Sequence, residues 1–334
     1  MQTEQTLDRG KPILQVKNLQ KYYPVRTSLG KTKAYIKAVE DLSFDIYEGE
    51  TFGLVGESGC GKSTAGRTLL KLVEPTNGEV IYRDNDIFKL KKSSLKHVRK
   101  ELQMIFQDPH TSLDPRKKVG YSIEESLAIH KIGSKQERKS LALEILKKVG
   151  FNEEHYHRYP HEFSGGQRQR IGIARSLVLQ PKLIICDEPV SALDVSIQAQ
   201  IVNLLKSLQK ELNLSYVFIS HDLSVIRHIA DKVGVMYLGN LVEQASTEKL
   251  FSEPLHPYTK SLISAVPLLN PEYKREKVAL KGELPSPLNP PSGCVFHTRC
   301  PFAFDRCKTE VPKNIKVQDE RTVKCHLYEE SESQ

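Results

Sequence analysis

Apolar positions along the chain gather in short runs, separated by stretches with helical spacing. Residues 13–19 partly alternate and predict a first strand, and residues 34–47 resume a strand-like pattern up to the turn Glu48-Gly49-Glu50. Thr51-Phe52-Gly53-Leu54-Val55 is an apolar strand that runs straight into a glycine-rich loop. Leu102–Phe106, Leu183–Cys186, Tyr216–Ser220 and Val233–Tyr237 are further apolar runs, mostly rich in β-branched and aromatic residues. Such runs predict strands buried on both faces of a mostly parallel sheet. Helical spacing over 136–149, 165–179, 195–211 and 222–230 fills the gaps. Strands alternating with helices predict an α/β layered fold. From about Ser252 the texture changes: Pro254, Pro257, Pro267, Pro271, Pro285, Pro287, Pro290 and Pro291 break any long element, and four of the six cysteines follow. This shift places a domain boundary near residue 250, dividing 13–250 from 251–334. No internal repeat is evident.

Composition narrows the class. Hydrophobic residues at 39% and charged residues at 27% of 334 positions speak against wholesale disorder. The start, MQTEQTLDRGK, has no apolar core of a signal peptide, which argues against secretion. Apolar runs such as Leu183-Ile184-Ile185-Cys186 fall far short of the roughly 20 residues a membrane-spanning helix needs. A net charge of +8 admits binding to nucleic acid or an anionic surface. The basic residues are scattered among acids, however, and the densest stretch, Lys89 to Lys100, lacks aromatics that would stack on bases. No nucleic-acid partner is expected.

The glycine-rich loop carries the first chemistry. Gly56-Glu57-Ser58-Gly59-Cys60-Gly61-Lys62-Ser63-Thr64 fits G-x-x-x-x-G-K-[ST] between a strand and a helix, the context a phosphate-binding loop requires. Glycines let backbone N–H groups turn onto phosphate oxygens, and the following helix adds its positive end. Lys62 is expected to reach the β- and γ-phosphates of a nucleotide, and Ser63 to ligate Mg²⁺, although this loop alone does not choose between kinase, GTPase and motor ATPase. Further on, an apolar strand ends in Asp187-Glu188. A carboxylate at a strand's C-terminal end suits Mg²⁺ held through water, which fits Asp187; Glu188 is then placed to polarise the attacking water. Taken alone, such a pair is equally a helix-capping acid.

Phe163-Ser164-Gly165-Gly166-Gln167 precedes an Arg-rich helical stretch. Here the chain resembles the ABC ATPase family, whose signature reads Leu-Ser-Gly-Gly-Gln, with Phe163 in place of the leucine. Ser164 is expected to cap a helix, and Gly165 and Gly166 to expose N–H groups to a γ-phosphate held by a partner cassette. The remaining family elements follow in order. Gln107 resembles the Q-loop glutamine that senses Mg²⁺ or water, Ser191-Ala192-Leu193-Asp194 resembles the D-loop, and His221 resembles the switch histidine. Tyr23 resembles the adenine-stacking aromatic, with Tyr22 as its rival. The resemblance spans about residues 13–250. It implies a phosphate-loop ATPase core with an antiparallel β subdomain and a helical signature subdomain, followed by a small Cys/Pro-rich extension.

A finer resemblance, to ATPase subunits of oligopeptide and dipeptide importers, rests on three stretches: Phe106-Gln107-Asp108-Pro109 through Ser112-Leu113-Asp114-Pro115-Arg116, His161 through Gln167, and Leu255-His256-Pro257-Tyr258-Thr259. The insertion between Tyr23 and Ala38 resembles the second, F-type member of the ATPase pair. The resemblance implies a heterodimer with a second ATPase, two membrane permease subunits, an extracytoplasmic peptide-binding protein, and a place on the cytoplasmic face of the membrane. Related importers carry nickel or other solutes, and other ABC ATPases act on DNA or ribosomes. Those last carry long coiled coils or two cassettes, neither of which is present.

Cys294, Cys300, Cys307 and Cys325 crowd a Pro-rich segment poor in apolar residues. In a reducing compartment disulfides are rare, and small segments of this kind often need a metal staple. Intervals of five, six and seventeen residues are wider than the usual zinc pairs, and Cys300-Pro301 suits an iron–sulfur ligand. The importer tails resemble this pattern and are associated with a [4Fe–4S] cluster. Zinc is the alternative, with His297 and His326 as substitutes for one cysteine. Distance in sequence from every ATP element assigns this group a structural role. Cys60 and Cys186 read as small packing residues.

Overall fold

The structure, a computed structural model, describes residues 10–28, 30–108, 112–265, 282–317 and 321–333. The start of the chain, Pro109, Pro267 and Pro271, each used above, lie outside the described residues.

Ten strands run in the order β5-β4-β1-β2-β10-β9-β3-β8-β7-β6. Their ranges are β1 Leu14–Arg26, β2 Thr32–Ile46, β3 Thr51–Val55, β4 Asn77–Tyr82, β5 Asn85–Asp86, β6 Leu102–Ile105, β7 Leu183–Asp187, β8 Ser215–Ser220, β9 Lys232–Tyr237 and β10 Asn240–Ser246. β3, β6, β7, β8 and β9 are parallel neighbours, whereas β1, β2, β4 and β5 pair antiparallel. The uniformly apolar runs are the parallel strands, as their composition requires. Their alternate residues sort to opposite faces. Leu183, Ile185, Val217 and Ile219 join a core with β1, β2 and the helix Lys62–Leu69. Ile184, Cys186, Tyr216 and Phe218 join a second core with the helices Val119–Ile129, Lys135–Lys148, Gly165–Leu177 and Val195–Leu212. Helix starts are set by side chains: Ser134 and Glu137 exchange bonds across one first turn, and Ser164 and Gln167 across another. Asn213, at φ 50°, ends Val195–Leu212 in the left-handed conformation.

Beyond residue 250 the chain does not stand apart from the rest. β11 (Ile315–Val317) pairs with β12 (Arg321–Val323), and β12 pairs antiparallel with β10, so the extension adds to the central sheet. Cys294, Phe296 and Cys307 belong to the second core. Glu243, 1% exposed, accepts the backbone N–H groups of Leu255 (2.9 Å) and His256 (2.8 Å) and a bond from Arg321 Nη2 (2.9 Å). No described helix is long and apolar enough to cross a membrane.

Candidate functional site

The parallel strands bring the predicted residues together at their C-terminal ends. β3 lies between β8 and β9, and β7 lies beyond β8, so the loop after β3 faces the acids that end β7. Gly61 sits at φ 107°, and a Cβ there would come within 1.9 Å of the Ala38 carbonyl oxygen. At Gly56 a Cβ would lie 2.2 Å from the Met236 carbonyl oxygen. Only glycine fits either position. The helix Lys62–Leu69 then opens directly behind Gly61.

Inside this loop the Lys62 ammonium, 3% exposed, donates to the carbonyls of Gly56 (2.8 Å) and Glu57 (3.0 Å) and lies 3.9 Å from Glu188 Oε1. Ser63 Oγ donates to Asp187 Oδ1 at 2.7 Å. Asp187 Oδ2 is buried with no hydrogen-bond partner, although Arg67 stands 4.0 Å away, and burial pushes the Asp187 carboxyl above its ordinary range. A buried carboxylate with an oxygen to spare, beside a serine hydroxyl and an array of loop N–H groups, fits Mg²⁺ bound to phosphate. Ser63 and Asp187 would hold the ion, which would offset charge on the phosphate oxygens.

Glu188 is the meeting point. It adopts φ 46°, a left-handed conformation that non-glycine residues rarely take. Gln107 Nε2 donates to Glu188 Oε2 at 3.0 Å, and His221 Nδ1 lies 3.2 Å from the same oxygen. Ser191 Oγ donates to the Glu188 carbonyl at 3.1 Å, which ties the D-loop to the same residue. Two adjoining cavities, of about 210 and 660 Å³, share Ser58, Gln107 and Glu188 in their walls. The smaller is lined by the loop from Ser58 to Thr64 and by Ile36, Lys37 and Ala38 of β2.

Other predicted residues sit elsewhere. Tyr23 stands opposite Ile36 across the β1–β2 pair, with the Lys21 ammonium 4.7 Å from its ring. Directly opposed residues share a face, which puts Tyr23 on the Ile36 side. Tyr22 stands opposite Lys37, and its phenol is pushed up by burial and then by neighbouring Glu40. Ser164, Gly165, Gly166 and Gln167 line neither cavity. Ser164 Oγ accepts the Gln167 N–H, and Gln167 Oε1 accepts the Ser164 N–H. Asp194 is the exposed residue before the helix Val195–Leu212.

The tail cysteines share one electrostatic neighbourhood. Burial pushes the Cys325 thiol up to about 12, with Cys294, Cys300 and Cys307 adding to the shift, and pushes Cys294 up to about 11. The Cys294 N–H donates to the Cys307 carbonyl at 2.9 Å. Among the described residues no group of three His, Cys, Asp or Glu side chains is set to hold a metal ion. His297 Nδ1 lies 2.9 Å from the Cys294 carbonyl, and both His326 ring nitrogens face Glu329 and the Glu310 carbonyl.

The tail, distant in sequence, meets the phosphate loop in space. Arg299, directly before Cys300, reaches the Glu57 carboxylate of the phosphate loop at 3.0 Å, and Tyr258 Oη accepts the Glu57 N–H at 3.0 Å. Leu262 and Pro287 line the two cavities. None of these four stood out as a functional residue in the sequence. Tyr258 lay in a stretch noted only for resemblance, and nothing local marks Arg299.

Comparison with known proteins matches two stretches of the chain. Residues 39–191 match the family described as "ABC transporter", and residues 242–307 match "Oligopeptide/dipeptide transporter, C-terminal region". The oligopeptide transport ATP-binding protein AppF of Bacillus subtilis is 54% identical over 320 residues, covering 95% of this chain and 97% of the relative. The dipeptide transport ATP-binding protein DppF of Escherichia coli is 51% identical over 322 residues, covering 96% of each. Among solved structures, a dimeric ATP-binding cassette in a post-hydrolysis state, bound to ADP and Pi, aligns with a TM-score of 0.63 at 30% identity. It covers 70% of this chain and 98% of that one. CbiO1 of Clostridium perfringens, part of an ABC transporter complex, aligns with a TM-score of 0.63 at 27% identity, covering 73% and 92%.

Proposed function

The chain belongs to the ABC transporter ATP-binding proteins of the oligopeptide/dipeptide type, and from that premise we propose that it hydrolyses ATP to power peptide import. The observation that carries this reading is the length of the match: peptide-transport relatives align over nearly all of both chains, the extension included. The match to the oligopeptide/dipeptide C-terminal region supports treating 13–250 as the ATPase domain and 251–334 as its extension.

In this reading the loop Gly56–Thr64 holds the triphosphate, with Lys62 against the β- and γ-phosphates and Tyr23 against the adenine. Glu188 polarises the attacking water, and Gln107 and His221 fix its carboxylate. Ser164, Gly165, Gly166 and Gln167, with Asp194, serve the nucleotide on a second ATPase. The pair closes on two ATP molecules, and the energy of that closure moves two permease subunits from the cytoplasmic face of the membrane. An extracytoplasmic peptide-binding protein delivers the cargo to the permease. Cys294, Cys300, Cys307 and Cys325 are read as ligands of a [4Fe–4S] cluster, with zinc as the alternative. Support for that reading is the cysteine pattern of the sequence, since among the described residues no metal-holding group is formed. Iron and sulfide analysis after anaerobic purification tests it: a colourless chain without iron refutes it, and stoichiometric zinc replaces it.

The decisive experiment for the transport reading is affinity isolation of the tagged chain from native membranes. Recovery of a second ATPase and permease subunits, with ATPase activity that rises on reconstitution, is the expected result. Recovery of ribosomes or DNA in their place would overturn it.

A further inference from the structure

One residue of the phosphate loop is held by two residues of the extension, besides bonds within the loop. Arg299 Nη1 donates to both carboxylate oxygens of Glu57, at 3.0 and 3.2 Å, across 242 residues of chain. The Glu57 N–H donates to Tyr258 Oη at 3.0 Å across 201 residues. On its other side, the Glu57 carbonyl accepts the Lys62 ammonium at 3.0 Å. Arg299 is itself fixed, with its side chain 9% exposed and its guanidinium carbon 5.8 Å from the centre of the Tyr237 ring. Tyr237, Tyr258 and Phe296 pack against one another at centroid distances of 4.8 to 5.5 Å and form the wall behind these contacts.

A carboxylate inside an anion-binding loop works against its purpose, because it repels the phosphates the loop must attract. Glu57 lines the larger cavity together with Glu188, Gln107 and His221, so this repulsion acts at the reacting end of the nucleotide. The Arg299 guanidinium offsets that charge. Tyr258 meanwhile fixes the peptide whose carbonyl steadies Lys62.

We propose that Arg299 and Tyr258 are positioning residues for nucleotide binding: the extension completes the phosphate loop of its own chain by neutralising and fixing Glu57. The proposal rests on the reading of this loop as the ATP site. It differs from a plain staple between two segments, because a staple affects stability alone. Positioning affects affinity, and its loss is reversed when the Glu57 charge is removed.

The experiment measures ATP displacement of a fluorescent ATP analogue, KM and kcat, and thermal midpoint, on the full-length chain. Arg299→Ala is expected to weaken ATP binding about tenfold. The loss appears in KM, while kcat at saturating ATP stays within about twofold of the parent. Adding Glu57→Gln to Arg299→Ala restores affinity to within about twofold of the parent, whether or not the thermal midpoint recovers. Tyr258→Phe, which removes only the acceptor of the Glu57 N–H, weakens binding by about threefold. Should Arg299→Ala not fold, Arg299→Gln carries the same test, since it keeps a polar side chain and loses the charge. Affinity that stays at the parent value in the Arg299 variant, or that Glu57→Gln fails to restore, overturns the proposal. A parent chain that binds no ATP, and equals Lys62→Ala in that respect, overturns the ATP-site reading instead.

Discussion

The cluster around Glu188 and the signature segment around Ser164 are both built from polar residues beside a helix start, yet their bonding differs. At Glu188, side chains from four separate segments meet: Lys62, Gln107 and His221 face its carboxylate, and Ser191 holds its carbonyl. At Ser164 the polar atoms satisfy each other within one turn of helix. Its glycines face Leu193 and Ile197 of the D-loop region. In one set, side chains of separate segments converge on a single carboxylate. The other is a helix end whose polar side chains satisfy one another. Binding and hydrolysis should therefore separate by mutation. Changes at the first set act on the chain alone, and changes at the second act only when a partner ATPase is present.

The largest effect is expected at Lys62. Lys62→Ala removes the main cation of the loop, and both ATP binding and hydrolysis should fall to background in a direct binding assay and a phosphate-release assay. Residual activity near the parent level would dissolve the contrast altogether. Glu188→Gln should divide the first set internally. ATP still binds, but hydrolysis slows by about 10²–10⁴-fold, as expected when a general base is lost. Equal turnover would remove Glu188 from the chemistry.

Acid should separate the extension from both sets. His256 is 1% exposed, and burial pushes its imidazole down to about 3. Its Nδ1 accepts the Tyr258 N–H at 3.1 Å, which requires the neutral ring. A depressed value means the unfolded chain takes up a proton that the folded one refuses. The stability contribution is thus complete above about pH 6.5 and is lost progressively toward pH 3. Between pH 7 and pH 5, urea unfolding should show the parent losing about 2 kcal/mol more than His256→Gln. Equal slopes would show that His256 is protonated in the folded chain. The smallest effect belongs to the signature. Ser164→Ala removes a helix cap worth about 1 kcal/mol of stability and should leave ATP affinity of the isolated chain unchanged. Partner-stimulated hydrolysis should fall. A change in the isolated chain's own ATP affinity would join the two sets that the structure separates.

Legibility in the sequence followed burial and spacing. β3, β7, β8 and β9 announced themselves because both faces are covered, leaving no polar alternation to blur them. The helix Lys92–Glu101 did not, since only Leu95 among its ten residues is buried, and its lysines read as a basic stretch. β11 and β12, three residues each, are too short for any period to register. Gly56 through Thr64, Asp187, Glu188 and His221 were legible because each is fixed to a short motif. Arg299 and Tyr258 were not, because a contact that closes 242 or 201 residues of chain leaves no mark on its neighbours. The residue before Cys300 thus touches the phosphate loop despite its distance in sequence.

Glu243 gives the chain's order of synthesis a meaning. This carboxylate is buried in β10, and its guanidinium partner, Arg321, is made 78 residues later. A buried carboxylate left without that counter-charge costs about 3–5 kcal/mol. While the ribosome is still adding the residues between them, β10 also lacks β12 at its edge and remains open to pairing with other chains. A message cut short before residue 321 would encode every ATP motif and yet yield a cassette with a buried charge and an uncovered strand. Such a product should be cleaved by proteases more readily than the full-length chain.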